Sequence, residues 1–101
     1  MNMLNNVIFE GNIKSYTKNA GFIDFVVASS RYSMNENNER IETITEVVCR
    51  VFGAMQNTCE RVAEVGQGLR VVGHLAGSDG SIVLVCEHIE WKLNRKTKKT
   101  V

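Results

Sequence analysis

Residues 44–75 read ITEVVCRVFGAMQNTCERVAEVGQGLRVVGHL, and the hydrophobic period changes twice along them. Over 44–52 the side chains alternate, with Val47, Cys49 and Val51 on one face of an extended chain and Glu46, Val48, Arg50 and Phe52 on the other. The first set reads as core and the second as a face free for another role. Over 54–65 the spacing turns helical, with Met55, Cys59, Val62 and Ala63 forming one apolar stripe, and Gly66 follows as the expected helix stop. Residues 69–75 then return to strand character.

Outward from this stretch, residues 7–13, VIFEGNI, form a first strand whose Gly11 suits a bulge or sharp bend. The polar SYTKNAG at 15–21 reads as a turn into a second strand over 22–30, FIDFVVASS. Lys14 and Lys18 are expected on the loop after the first strand, and the Asn- and Glu-rich residues 31–42 are expected to form an exposed, mobile loop. Strand five spans 82–91 after a tight turn at Ser78-Asp79-Gly80-Ser81. The order is β-β-β-α-β-β. It predicts an all-β fold, a five-stranded Greek-key barrel of the OB-fold type with one short helix between strands three and four. Such barrels bind oligonucleotides or oligosaccharides on an exposed strand face and its loops, but a fold does not by itself fix a function.

The chain has 101 residues, 44% hydrophobic and 23% charged, enough for one domain with a single core. We expect that domain at 1–92, followed by a basic, disordered tail at 93–101. No apolar run is long enough to span a bilayer and the N-terminus lacks the pattern of a secretory leader, so a cytoplasmic, nucleoid-associated location is expected, with no membrane partner. Cys49, Cys59 and Cys86 are odd in number, widely spaced and in apolar contexts, as buried free thiols would be. The net charge of +1 hides an asymmetry: residues 1–90 carry 7 basic against 11 acidic side chains, whereas Lys92, Arg95, Lys96, Lys98 and Lys99 have no acidic neighbour. Such a run suits a phosphate-contacting extension, although solvated basic ends also occur in proteins that bind no nucleic acid.

The segment Asn6-Val7-Ile8-Phe9-Glu10-Gly11-Asn12-Ile13, then Phe52-Gly53, a twelve-residue helix, Gly66 and a strand containing Gly73, together resemble the bacterial single-stranded DNA-binding protein family over residues 5–92. The resemblance implies bases stacked on aromatic side chains across the barrel face, basic groups along the backbone, little sequence preference, and a homodimer or homotetramer assembled through strand one. Carried over by position, Phe52 is the stacking aromatic and Arg50 its neighbour for phosphate or stacking contact, with Tyr32 and Arg31 near a second stacking position. Lys14 and Lys18 flank the face, and Trp91, Lys92, Arg95 and Lys96 extend the candidate set. Phe52 could equally be an ordinary core aromatic, and Trp91 a residue that seals the barrel end or an oligomer interface.

The departures are as informative. Glu46 stands where the family places an aromatic, which predicts weaker binding. The hairpin between strands four and five is short, and a basic tail replaces the acidic, aromatic tip through which relatives recruit other enzymes. These features also resemble the short primosomal replication-protein branch, and they leave a second reading open: a protein-interaction adapter of a replication complex, binding DNA weakly through its tail. No nucleophile elbow, phosphate-cradling glycine loop or paired-carboxylate motif is present, and His74 and His88 have no companions at ligand spacing, so neither an enzyme, a metal nor a cofactor is expected.

Overall fold

The computed structural model describes residues 3–92. Five strands, β1 (Val7–Asn19), β2 (Phe22–Met34), β3 (Arg40–Phe52), β4 (Gly68–Ser78) and β5 (Ser81–Trp91), close into a barrel in the order β1-β2-β3-β5-β4, with a single helix, α1 (Ala54–Val62), between β3 and β4. Neighbours are antiparallel except β3 and β5, which pair in parallel at Cys49↔Leu84 and Arg50↔Val85. The expected all-β barrel and the position of its helix are both observed.

Inward side chains follow the period of two. Ile13, Ile23, Phe25, Val27, Cys49, Val51, Leu69, Val71 and Leu84 form one buried cluster with Cys59 of α1 and Cys86 of β5. All three cysteines are free and buried, as expected. Burial pushes the Cys59 thiol up to about 11, and Cys86 is raised as well, foremost by its hydrogen bond with Cys49 and then by burial.

β1 serves two neighbours. Residues 7–12 pair with β4 and residues 12–19 with β2, the change of partner falling at Asn12, next to Gly11. At Gly11 a Cβ would lie 2.8 Å from the carbonyl carbon of Ala28, and at Gly73, beside the bulge in β4–β5, one would lie 2.9 Å from that of Val85. The β4–β5 connection is the two-residue turn Asp79-Gly80, with φ of 49° and 81° at its central residues.

Three expectations change. Residues 31–42 are not a mobile loop: β2 and β3 continue as a hairpin to Met34↔Arg40, closed by a turn in which Asn35 Oδ1 accepts the backbone N–H groups of Asn37 and Glu39. The stretch is hydrophilic because no core lies beneath it, so both faces of the hairpin meet water. Lys14 and Lys18 lie within β1 rather than on a loop, since β1 runs to Asn19. The helix ends at Val62 instead of reaching residue 65, leaving Val62 41% exposed. The chain leaves the helical path to pair with β1: the Gly66 N–H donates to the Ile13 carbonyl at 2.8 Å and the Ile13 N–H to the Gln67 carbonyl at 2.9 Å. The buried Gln67 amide then donates to the Lys92 carbonyl, tying this connection to the end of β5.

The backbone contact at Gly73 makes it the position least able to accept a side chain. Gly73→Ala is expected to destabilise the fold by about 3 kcal/mol and lower Tm by at least about 10 °C in a thermal melt followed by circular dichroism, whereas Gly77→Ala, with open space around it, leaves Tm nearly unchanged.

Candidate nucleic-acid interface

The register of β2 on β3 decides which side chains share the outward face. The pairs Phe22↔Phe52, Asp24↔Arg50, Val26↔Val48, Ala28↔Glu46 and Tyr32↔Glu42 all project to the same side, opposite the core pairs Ile23↔Val51 and Phe25↔Cys49. Phe52 is 48% exposed and packs at 5.9 Å, tilted by 52°, on Phe22. The Arg50 guanidinium lies 4.2 Å above the Phe22 ring and grips both carboxylate oxygens of Asp24, at 2.8 and 3.1 Å, while another of its N–H groups reaches the Ser78 hydroxyl at 3.0 Å. The bond to Asp24 raises the guanidinium pKa further above its already high ordinary value. Arg50 thus ties β2, β3 and the tip of the β4–β5 hairpin together on one side of the barrel.

Further along this face, Lys14 reaches across from β1 to Glu46 at 2.5 Å. Tyr32, 53% exposed, lies about ten residues along β2 from Phe22, on the order of 33 Å at strand rise. Its hydroxyl donates to Glu42 at 2.9 Å and the Arg40 guanidinium covers its ring at 4.0 Å. Hydrogen bonding to the Glu42 carboxylate raises the Tyr32 phenol above its usual range.

Phe52, Arg50, Lys14 and Tyr32 therefore share one face, and the other candidates lie elsewhere. Lys18 pairs with Glu60 of α1 at 2.9 Å. Arg31 has the opposite parity to Tyr32 and, with Lys92, lines an open groove of about 770 Å³ between the unpaired edges of β1 and β2. Lys92 pairs with Glu10 at 3.0 Å; Lys92 foremost, and Arg70 beside it, hold the Glu10 carboxyl below its ordinary range. Trp91 is half-buried and meets the core ring of Phe25 edge-on at 6.4 Å and 88°. Arg95 and Lys96 lie outside the described residues. Among the described residues no group of three His, Cys, Asp or Glu side chains is placed to hold a metal, and no helix is long and apolar enough to cross a membrane.

Sequence reasoning missed Phe22, Asp24, Arg40 and Ser78. Phe22 and Asp24 stand at the start of a recognised strand, but only the hairpin register aligns them with Phe52 and Arg50.

No protein-family model matches this sequence, and no curated protein matches it. Solved structures do. The wild-type single-stranded DNA-binding protein of Thermus aquaticus is similar over 92% of this chain at a TM-score of 0.74 and 20% identity, with 52% of its own chain covered. The single-stranded DNA-binding protein of Plasmodium falciparum, solved in complex with single-stranded DNA, is similar over 91% of this chain and 97% of its own, at 0.76 and 13% identity. The PriB protein of Ralstonia solanacearum is similar over 88% of this chain and 98% of its own, at 0.70 and 18% identity. The fold is the OB-fold of these proteins. This chain spans about half the length of the Thermus aquaticus protein and nearly the full length of the other two.

The Tyr32–Glu42 bond can be read directly. In a spectrophotometric titration of the protein's two tyrosines, Glu42→Gln is expected to bring one phenol transition down towards ordinary tyrosine values, because the carboxylate that holds the proton on Tyr32 is gone.

Proposed function

We propose that the chain binds single-stranded DNA with little sequence preference and without catalysis, serving replication, recombination or repair in the cytoplasm at the nucleoid. One observation carries this reading: Phe52 and Tyr32 stand exposed on the same outward face of β2–β3 in an OB barrel, as a stacking platform requires. Every base offers a π-face, so stacking on Phe52, backed by Phe22, and on Tyr32 accepts any sequence. Arg50 and Lys14 lie beside these rings, within reach of a strand's phosphates, and Trp91 serves the barrel's packing. That a Plasmodium falciparum protein of the same fold was solved in complex with single-stranded DNA supports the reading. The domain is residues 1–92, with the basic residues 93–101 as a supplementary phosphate contact.

Assembly belongs to the same proposal. Residues 7–11 of β1 pair only with β4, so the other edge of this segment has free backbone groups, and Ile8 beside it is 70% exposed. A second copy pairing along this edge satisfies those groups and covers Ile8, giving a homodimer or a tetramer built from it.

Titration of a labelled oligothymidine of about 35 nucleotides tests both parts. Wild type is expected to bind, Phe52→Ala to weaken binding about tenfold, and sedimentation to give a dimer or larger. Equal binding by wild type and Phe52→Ala, with loss only on truncation after Trp91, would instead favour the adapter that touches DNA through its tail. No binding by wild type would remove nucleic-acid coating altogether.

A further inference from the structure

Two cations of the outward face, Lys14 and Arg50, are already paired with carboxylates. Lys14 holds Glu46, Arg50 holds Asp24 through both oxygens, and Arg40 covers Tyr32, whose hydroxyl is bound to Glu42. Two basic side chains of this face are thus matched by two carboxylates, and the third, Arg40, lies over the Tyr32 ring. A cation whose charge is already cancelled by a protein carboxylate brings little net positive charge to a phosphate, so it displaces fewer of the counterions condensed on the strand, and that displacement is what makes nucleic-acid binding strong at low salt and steeply salt-dependent.

We propose that Glu46 and Asp24 are affinity-setting residues of this face: they hold Lys14 and Arg50 neutralised, so that the face holds a bound strand mainly by stacking and its own contribution responds little to salt. The inference rests on the single-strand-binding reading above and adds the residues that tune it. The two pairs act differently. Lys14 and Glu46 are both well exposed, and a flexible ammonium can swing from the carboxylate to a phosphate. Binding there exchanges one anion for another, and salt weakens the old pair as well as the new one, so the two dependences largely cancel. Arg50 is held in a bidentate grip with Ser78 as a third partner, and both members of the pair are mostly shielded from solvent. Three of its five N–H donors are engaged, leaving two for a phosphate while Asp24 stays in place and cancels the charge. Glu46 governs an exchangeable cation and Asp24 a permanently compensated one.

The test uses the full chain and the same oligothymidine at about 50, 100 and 200 mM NaCl, with wild type, Glu46→Gln, Asp24→Asn, Lys14→Gln and the double variant Lys14→Gln/Glu46→Gln. The two carboxamide variants keep the shape of the acid and remove its charge. Each is expected to tighten binding about three- to tenfold at the lowest salt and to steepen the slope of log affinity against log salt by about 0.7, the amount associated with one phosphate contact on a single strand. Lys14→Gln in the Glu46→Gln background is expected to erase that gain. The tail's contribution is common to all five proteins and drops out of these differences. Structural damage could only weaken binding, so a gain is not a folding artefact; if Asp24→Asn lowers Tm substantially, the cycle on exposed Lys14 and Glu46 decides. Unchanged or weaker binding and unchanged slopes in both carboxamide variants, with Phe52→Ala still weakening wild type, would overturn this inference and leave the stacking reading standing. Absence of binding in wild type and every variant would overturn both.

Discussion

The bend in β1 is the constraint from which the rest of this structure follows. One strand has to close the barrel by pairing with β4 along its first half and with β2 along its second; it changes partners at Asn12, and at the preceding Gly11 the backbone of Ala28 comes too close for a side chain. Once β1 has turned away, β2 and β3 continue together without it. Their extension becomes a two-stranded arm wet on both sides, and the first half of β1 keeps an unpaired edge. The outward face that carries Phe52 and Tyr32, the groove lined by Arg31 and Lys92 and the unpaired edge of β1 all follow from that single divergence.

Most of the barrel was legible because its elements carry their own periods. The alternation from Glu46 to Phe52 divides core from face correctly, and the Asp79-Gly80 pair marks its turn because both central residues must accept positive φ. What escaped was whatever depends on distant partners. The arm at residues 31–42 has neither a core pattern nor a composition that distinguishes it from a loop; it is held by cross-strand pairs such as Tyr32 with Glu42 and by the Asn35 side chain closing its turn. The helix ends early because Gly66 and Gln67 are needed by Ile13, more than fifty residues away in sequence, and no local signal announces that demand.

The candidate site divides in the same way. Phe52 could be placed on the outward face from the alternation of its own strand, and so could Arg50. That Arg50 is compensated could not, because Asp24 becomes its neighbour only through the register of a hairpin of two thirteen-residue strands; a slip of one residue would turn Asp24 into the core and leave the guanidinium free. Lys14 was assigned to a loop flanking the face, yet it sits inside β1 beside an irregularity between Ile13 and Ser15, and from there its side chain crosses β2 to reach Glu46.

A face built from aromatic rings and compensated ion pairs separates two properties that usually rise together. Stacking acts only at contact and is nearly indifferent to ionic strength, whereas uncompensated charge acts over roughly 10 Å and draws a strand in before any ring is touched. In this chain the described face carries exposed rings and compensated ion pairs, while the sequence beyond Trp91 has five basic residues and no acidic one, the first of them, Lys92, paired with Glu10. The chain leaves β5 at Lys92, beside the groove that also holds Arg31, and thus on the far side of the arm from Tyr32.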